Sequence, residues 1–273
     1  VNVLQDETSE PRIEIVRPGR WLQVGSPAGF EWARVALPIE NLSPKLAGLR
    51  ILHLADLHLK THWWPAYDEL HRMVGENRPD LILCTGDFVE HKWMRKPTLP
   101  VLQRFIDGLT ARLGVWGILG NHDGDLLAPN LMTYRLHLLN GARTLLEANE
   151  DVIELIGMPG VYRGDLDDEF LHSIPPRQEG RLRIVMQHYP DQIKRTGQLQ
   201  SDLVLAGHTH GGQVCLPGGY PLMKHDSLPA RFCQGVHRFG STWLIVSRGF
   251  GFSSLPIRTF CPSQVMEIVL INT

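Results

Sequence analysis

The residues of this chain best equipped for chemistry sit in short, widely separated clusters. They are Asp56-Leu57-His58, Gly86-Asp87, Gly120-Asn121-His122-Asp123, His188 and Gly207-His208-Thr209-His210. Asp56, His58, Asp87, Asn121, His188, His208 and His210 offer carboxylate and carboxamide oxygens together with imidazole nitrogens. That mixture suits Mn, Fe, Zn or Co and differs from the thiolate-rich set of a structural zinc site. Along an extended segment residues i and i+2 share a face, so Asp56 and His58 can hold one metal with Leu57 turned away. His208 and His210 repeat the spacing, but on a tight glycine-flanked turn they can serve two different ions. Seven donors exceed one four-coordinate ion and match a pair of ions that share a bridging carboxylate.

Each cluster needs an element to position it, and in every case a short apolar run precedes it. Leu49–Ala55 runs into Asp56 and His58, and Leu81–Thr85 into Gly86-Asp87. Val115–Leu119 leads to Gly120–Asp123, Leu182–Met186 to Gln187-His188, and Leu203–Ala206 to Gly207–His210. These runs predict buried strands, and helical spacing over Tyr67–Val74, Leu99–Leu113 and Leu126–Leu139 predicts helices between them. Strands alternating with helices give an α/β class, in which the carboxyl ends of strands line the ligand crevice. Five such ends carry donors here. Upstream, Arg12–Val16 and Glu31–Leu37 alternate polar and apolar residues, as half-buried strands do. Residues 1–48 therefore read as N-terminal strands packed onto the core and residues 49–273 as the main domain, one domain overall. Strand-like runs dominate the last third, ending in Gln264–Ile271.

Composition narrows the class. With 273 residues, the chain can bury roughly three-quarters of its unfolded surface without disulfides or structural metal. A hydrophobic content of 43% excludes disorder, and no apolar run is long enough to span a bilayer. The formal charge of −2 supplies no field for nucleic acid, and no basic stripe interleaved with aromatics marks a nuclease. No nucleic-acid partner is expected. The cysteines Cys84, Cys215, Cys233 and Cys261 lack CxxC spacing and read as free thiols of a reducing compartment. That argues for the cytoplasm. The chain opens Val1-Asn2 instead of with Met, so membrane association follows if an anchor or signal preceded it.

The clusters, in this order, resemble those of calcineurin-like metallophosphoesterases over roughly residues 49–271. The block Gly207-His208-Thr209-His210-Gly211-Gly212-Gln213, the run Ser247–Gly251 and the run Leu255–Arg258 are similar to a bacterial single-domain phosphodiesterase branch. Members of that branch often carry a membrane anchor ahead of the catalytic domain. The resemblance implies a four-layer αββα sandwich, two mixed β-sheets flanked by helices. It implies two divalent metal ions (Mn, Zn, Fe or Co), one on Asp56, His58, Asp87 and His210. The other would sit on Asp87, Asn121, His188 and His208, with Asp87 bridging. The implied reaction is phosphodiester hydrolysis by in-line attack of a metal-bridging hydroxide. His122 is then expected to serve the leaving oxygen, with Asp123 orienting its imidazole.

Other histidines read differently. His53 belongs to the core or supports a ligand, and His71, His137, His172 and His237 belong to surface or packing. His62 and His225 lie on loops near the crevice. Two loops, Leu59–Trp64 and Phe88–Lys96, mix tryptophan with cations. Such loops suit an amphiphilic substrate or peripheral membrane contact, unless Trp63, Trp64 and Trp93 simply pack together to wall the site. Substrate readings include small diesters, a cyclic nucleotide, or a nucleotide-linked lipid of the UDP-diacylglucosamine type. A metal-binding scaffold without catalysis is disfavoured because all seven donors and His122 are present.

Overall fold

A computed structural model describes residues 10–91, 95–160, 168–224 and 226–273. In chain order the strands begin with β1 (Arg12–Arg17), β2 (Leu22–Val24), β3 (Glu31–Ile39) and β4 (Arg50–Leu54). Helix α1 (Pro65–Asn77), β5 (Leu81–Cys84), α2 (Arg95–Asp107) and β6 (Val115–Gly117) follow. After a one-turn helix α3 (Ala128–Leu131) come β7 (His137–Leu138), β8 (Ala142–Ala148), β9 (Asp151–Gly157) and α4 (Asp168–Ser173). The second half holds β10 (Leu182–Met186), α5 (Ile193–Thr196), β11 (Leu203–Ala206), β12 (Cys215–Leu216) and β13 (Tyr220–Pro221). It closes with β14 (Gly235–Phe239), β15 (Thr242–Val246), β16 (Ile257–Thr259) and β17 (Gln264–Asn272).

Two mixed sheets carry the molecule, in the orders β1-β3-β17-β4-β5-β6-β7 and β14-β15-β11-β10-β9-β8. Strand alternation explains how they stack. Ile51, Leu81 and Leu83 point from the first sheet to meet Ile184, Leu203, Leu205 and Ile245 of the second. Their neighbours Leu52, Leu54 and Ile82 point outward to Leu70 and Val74 of α1 and Phe105 of α2. Val185, Val204 and Leu244 likewise face Leu171 of α4 and Ile193 of α5. Helix, sheet, sheet and helix give the four-layer α/β sandwich expected. Strands buried on both faces read as continuous apolar runs, which is why they were visible in the sequence.

Of the N-terminal strands, β1 and β3 belong to the first sheet and β2 pairs with β16 apart from it. β3 pairs with β17 in parallel from Glu31↔Gln264 to Ile39↔Asn272, so residues 31–39 are central, with β1 outside them. β1 is the edge strand. The helical spacing over Leu126–Leu139 is a correction: only a 3₁₀ turn (Asp125–Leu127) and α3 form, and His137-Leu138 instead join β6 as a parallel strand. Trp116 stacks on His137 with ring centroids 4.4 Å apart, a tertiary contact that overrides weak local helix preference. β8 then returns against β9 through Asn149 and Glu150, whose φ angles of 52° and 63° suit a tight hairpin.

Among the described residues no helix is long and apolar enough to cross a membrane. All four cysteines are buried and free, and burial pushes the Cys84 thiol up to about 12.

Candidate metal centre

The carboxyl ends of β4, β5 and β6 in one sheet and β10 and β11 in the other converge on a single cleft. Among the described residues three groups able to hold a cation form there, one of them His58, Glu90 and His122 at the edge of the cleft. Asp56, His58 and His210 gather in the second, and Asp87, His188 and His208 in the third. Asp87 stands between these last two: its Oδ2 is 3.5 Å from His58 Nε2 and 3.3 Å from His188 Nε2. Asn121 Oδ1 is 2.9 Å from His188 Nε2, so all seven sequence-predicted donors are brought together.

The loops that carry them are tied backbone to backbone. Asp56 and His58 donate their N–H groups to the carbonyls of Gly86 and Asp87, at 3.0 and 2.9 Å. The His208 N–H donates to both oxygens of Asp56, and the His122 N–H donates to Asp87 Oδ1 at 2.8 Å. Gly86 and Gly120 touch so closely that a Cβ on Gly86, itself at φ +90°, would lie 2.5 Å from the Gly120 nitrogen. A side chain there would pry two ligand loops apart. Asp56, His58, Asp87, His208 and His210 all have φ between 42° and 69°. Left-handed backbone at non-glycine residues costs roughly 1 kcal/mol each, and such strain collects at functional sites.

The electrostatics call for cations. Asp56, Asp87 and Glu90 are buried, and among the described residues their short ion-pair partners are imidazoles. Burial by itself lowers the His188 pKa, yet Asp87, Asp56 and the Thr85 carbonyl raise it to about 9. His58 is raised in the same way against its burial by Glu90, Asp87 and Asp56. His210 goes the other way, held neutral by burial, His58 and Arg258. His58 and His210 meet Nε2 to Nε2 at 2.9 Å, a contact that either one proton or a shared cation satisfies. On the far side of its ring, His188 Nδ1 lies 2.8 Å from the Thr85 carbonyl, which can only accept. Nδ1 therefore carries a proton and Nε2 faces the cleft beside Asn121 Oδ1 and Asp87, the orientation of a metal-ligating histidine once a cation displaces the Nε2 proton. The donor chemistry fits divalent metal.

His122 is half-buried beside this centre, its ring edge-on to His58 with centroids 4.8 Å apart. Its Nδ1 bonds the Glu90 carbonyl. The expectation that Asp123 orients His122 is corrected. Asp123 is fully buried and accepts N–H groups from Asp87, Phe88, Val89 and Gly120, at 2.7 to 3.2 Å. It clamps the Asp87 loop to the Asn121 loop.

Sequence reasoning missed two residues. Glu90 Oε2 lies 2.8 Å from His58 Nδ1, while Oε1 accepts the Ser254 N–H. Its position three residues after Asp87 is the available signal, within a loop whose sequence stands out for tryptophan and cations. Arg258, fully buried, donates to His210 Nδ1 at 3.0 Å and to the carbonyls of Arg248 and Gly251. Gln213 clasps the 253–255 loop through the Ser253 backbone and the Leu255 carbonyl, and Arg248 pairs with Glu31.

His53 bonds Thr85 Oγ1 at 2.9 Å inside the core. His71, His137 and His237 bond or stack away from the cleft, and His172 is exposed near the end of α4. Trp63 is held by Asp68 at 2.9 Å with the Arg104 guanidinium 3.7 Å above its ring, and Trp64 stands edge-on to His62. Trp63 thus packs where α1 meets α2. Trp93 and His225 lie outside the described residues.

Comparison with known proteins agrees with this geometry. Residues 49–212 match the family described as calcineurin-like phosphoesterase. The uncharacterized metallophosphoesterase YkuE of Bacillus subtilis is 30% identical, over 83% of this chain and 80% of its own length. Phosphodiesterase YaeI of Escherichia coli is 28% identical, over 90% of each. A bovine transmembrane protein with metallophosphoesterase domain is 28% identical over 86% of this chain, which spans 56% of that protein.

Proposed function

This chain belongs to the calcineurin-like phosphoesterase family and is a metal-dependent phosphoesterase, and from that premise we propose that it hydrolyses phosphodiesters at a dinuclear centre. The observation that carries the reading is Asp87 Oδ2, within 3.5 Å of imidazole nitrogens from His58 in the Asp56 group and His188 in its own, as a bridging carboxylate must be. Asp56, His58, His210 and Asp87 would hold one ion, and Asp87, Asn121, His188 and His208 the other. Divalent cations there supply Lewis acidity toward the phosphoryl oxygens and toward water.

The remaining work falls to side chains. Glu90, its Oε2 2.8 Å from His58 Nδ1, sets a carboxylate behind that ring and so favours the proton on Nδ1 and Nε2 toward the cleft. His122 donates Nδ1–H to the Glu90 carbonyl and turns Nε2 to the leaving oxygen; as the imidazolium it gives up the Nε2 proton there and is left as the neutral Nδ1–H ring. Left-handed backbone at Asp87 and His210 aims their side chains before any ligand arrives, so little reorganisation remains.

The diester preference rests on the likeness to YaeI, and an amphiphilic substrate on the tryptophan and cations of the Leu59–Trp64 loop. The test compares bis(p-nitrophenyl) phosphate with p-nitrophenyl phosphate across Mn, Zn, Fe and Co. Metal-dependent turnover favouring the diester, lost in Asp87→Asn, is expected. A scaffold would show no turnover with any metal.

A further inference from the structure

One surface stays unexplained by the metal centre. β2 pairs with β16, β16 is bridged to Val214 through Thr259, and the β12–β13 hairpin follows, with the Leu222 N–H donating to the Val214 carbonyl. The result is two short ladders joined side by side. Their inward residues Gln23 and Arg258 are buried, and Arg258 touches His210. Their outward positions are apolar where an exposed sheet face is normally polar. Val24 is 66% exposed, Tyr220 64%, Trp21 60%, Leu222 56% and Leu216 49%. Trp21 and Phe260 stack at 5.3 Å, which joins the strand margins into one surface. Leu255, 50% exposed, adjoins Ser254, whose N–H bonds Glu90, so the platform reaches the rim of the catalytic cleft.

Charge says what covers it. Although the whole chain is slightly acidic, the three segments that build this face, residues 18–30, 211–224 and 247–266, contain no aspartate or glutamate. Exposed Arg20 and Lys224 lie within or beside these strands. An exposed apolar face with aromatic residues, cations at its margin and no carboxylate in its sequence complements an anionic bilayer. A protein partner of mixed charge would leave that one-sided pattern without purpose.

We propose that this platform seats the protein on an anionic lipid surface, with the metal cleft opening beside the headgroups. The proposal deepens the phosphoesterase reading by naming the surface from which an amphiphilic ester would be taken, and vesicle binding can fail without touching hydrolysis. Flotation with phosphatidylcholine vesicles, with and without phosphatidylglycerol, tests it on wild-type protein, Val24→Glu, Leu222→Glu and the double variant. Each site is exposed, so folding is retained, and circular dichroism checks this. Wild type should float with the anionic vesicles, less so in high salt, and the double variant should partition about tenfold more weakly. Turnover of soluble bis(p-nitrophenyl) phosphate should be unchanged. Absence of wild-type flotation, or equal flotation of the double variant, overturns the proposal. So does a wild-type dimer that the variants break without any vesicle binding, which would assign the face to a second copy of the chain.

Discussion

At the residue scale, two groups beside the proposed ligands should separate metal binding from chemistry. His122 touches His58 and joins it and Glu90 in a third cluster, apart from the two groups proposed to hold the ions. His122→Ala should keep its metal content, measured by inductively coupled plasma mass spectrometry, while kcat falls about 10²- to 10⁴-fold, most for poor leaving groups. Parallel loss of metal and activity would deny it a separate role. Glu90 does the opposite task, orienting His58 from behind. Glu90→Gln should weaken metal affinity about 10- to 100-fold by calorimetry, with turnover recovered at saturating metal. Unchanged affinity would remove Glu90 from the centre. The donor types at Asp56, His58 and His210 were legible because few other side chains bind such metals. Glu90 was not, since a carboxylate among Lys and His reads as a solvated loop until its burial is seen. The clamp role of Asp123 was equally hidden, because four backbone N–H groups converging on one carboxylate leave no trace in residue order.

At the element scale, the strands that deliver donors were legible and the short ones were not. Leu182–Met186 and Leu203–Ala206 have the bounds their apolar runs indicate, since burial on both faces leaves a continuous signal. β2 and β16 are three residues long and paired across the chain, and β12 and β13 are two-residue strands of one hairpin, so no periodicity could betray them. His53 on β4 gives this scale a pH test. Burial lowers its pKa from 6.5 to about 3 while it bonds Thr85. Below pH 6.5 the unfolded chain gains a proton that the folded chain refuses until about pH 3, so stability falls as pH drops through that window. The slope from this one group reaches about 1.4 kcal/mol per pH unit. His53→Gln should flatten the pH dependence of denaturant unfolding between pH 6.5 and 4 in metal-free protein. An unaltered slope would mean that His53 is not a buried neutral imidazole.

At the scale of the whole molecule, two sheets are pressed face to face so that strand ends from both open onto one cleft, and neither sheet alone holds a complete donor set. Asp56, Asp87 and Asn121 come from the first sheet, and His188, His208 and His210 from the second. Cations bound there should therefore cross-link the sheets. Removing metal with a chelator should lower Tm, and added Mn or Zn should restore it in proportion to occupancy. The same strand β16 turns Arg258 toward His210 and Ile257 and Thr259 toward the outer platform, so the metal centre and the proposed lipid face share a wall. The most direct test is the anomalous scattering of manganese in a crystal of the metal-loaded protein. Two ions per chain, both contacting the Asp87 carboxylate, are predicted. A single ion, or two that do not share Asp87, would contradict the dinuclear centre.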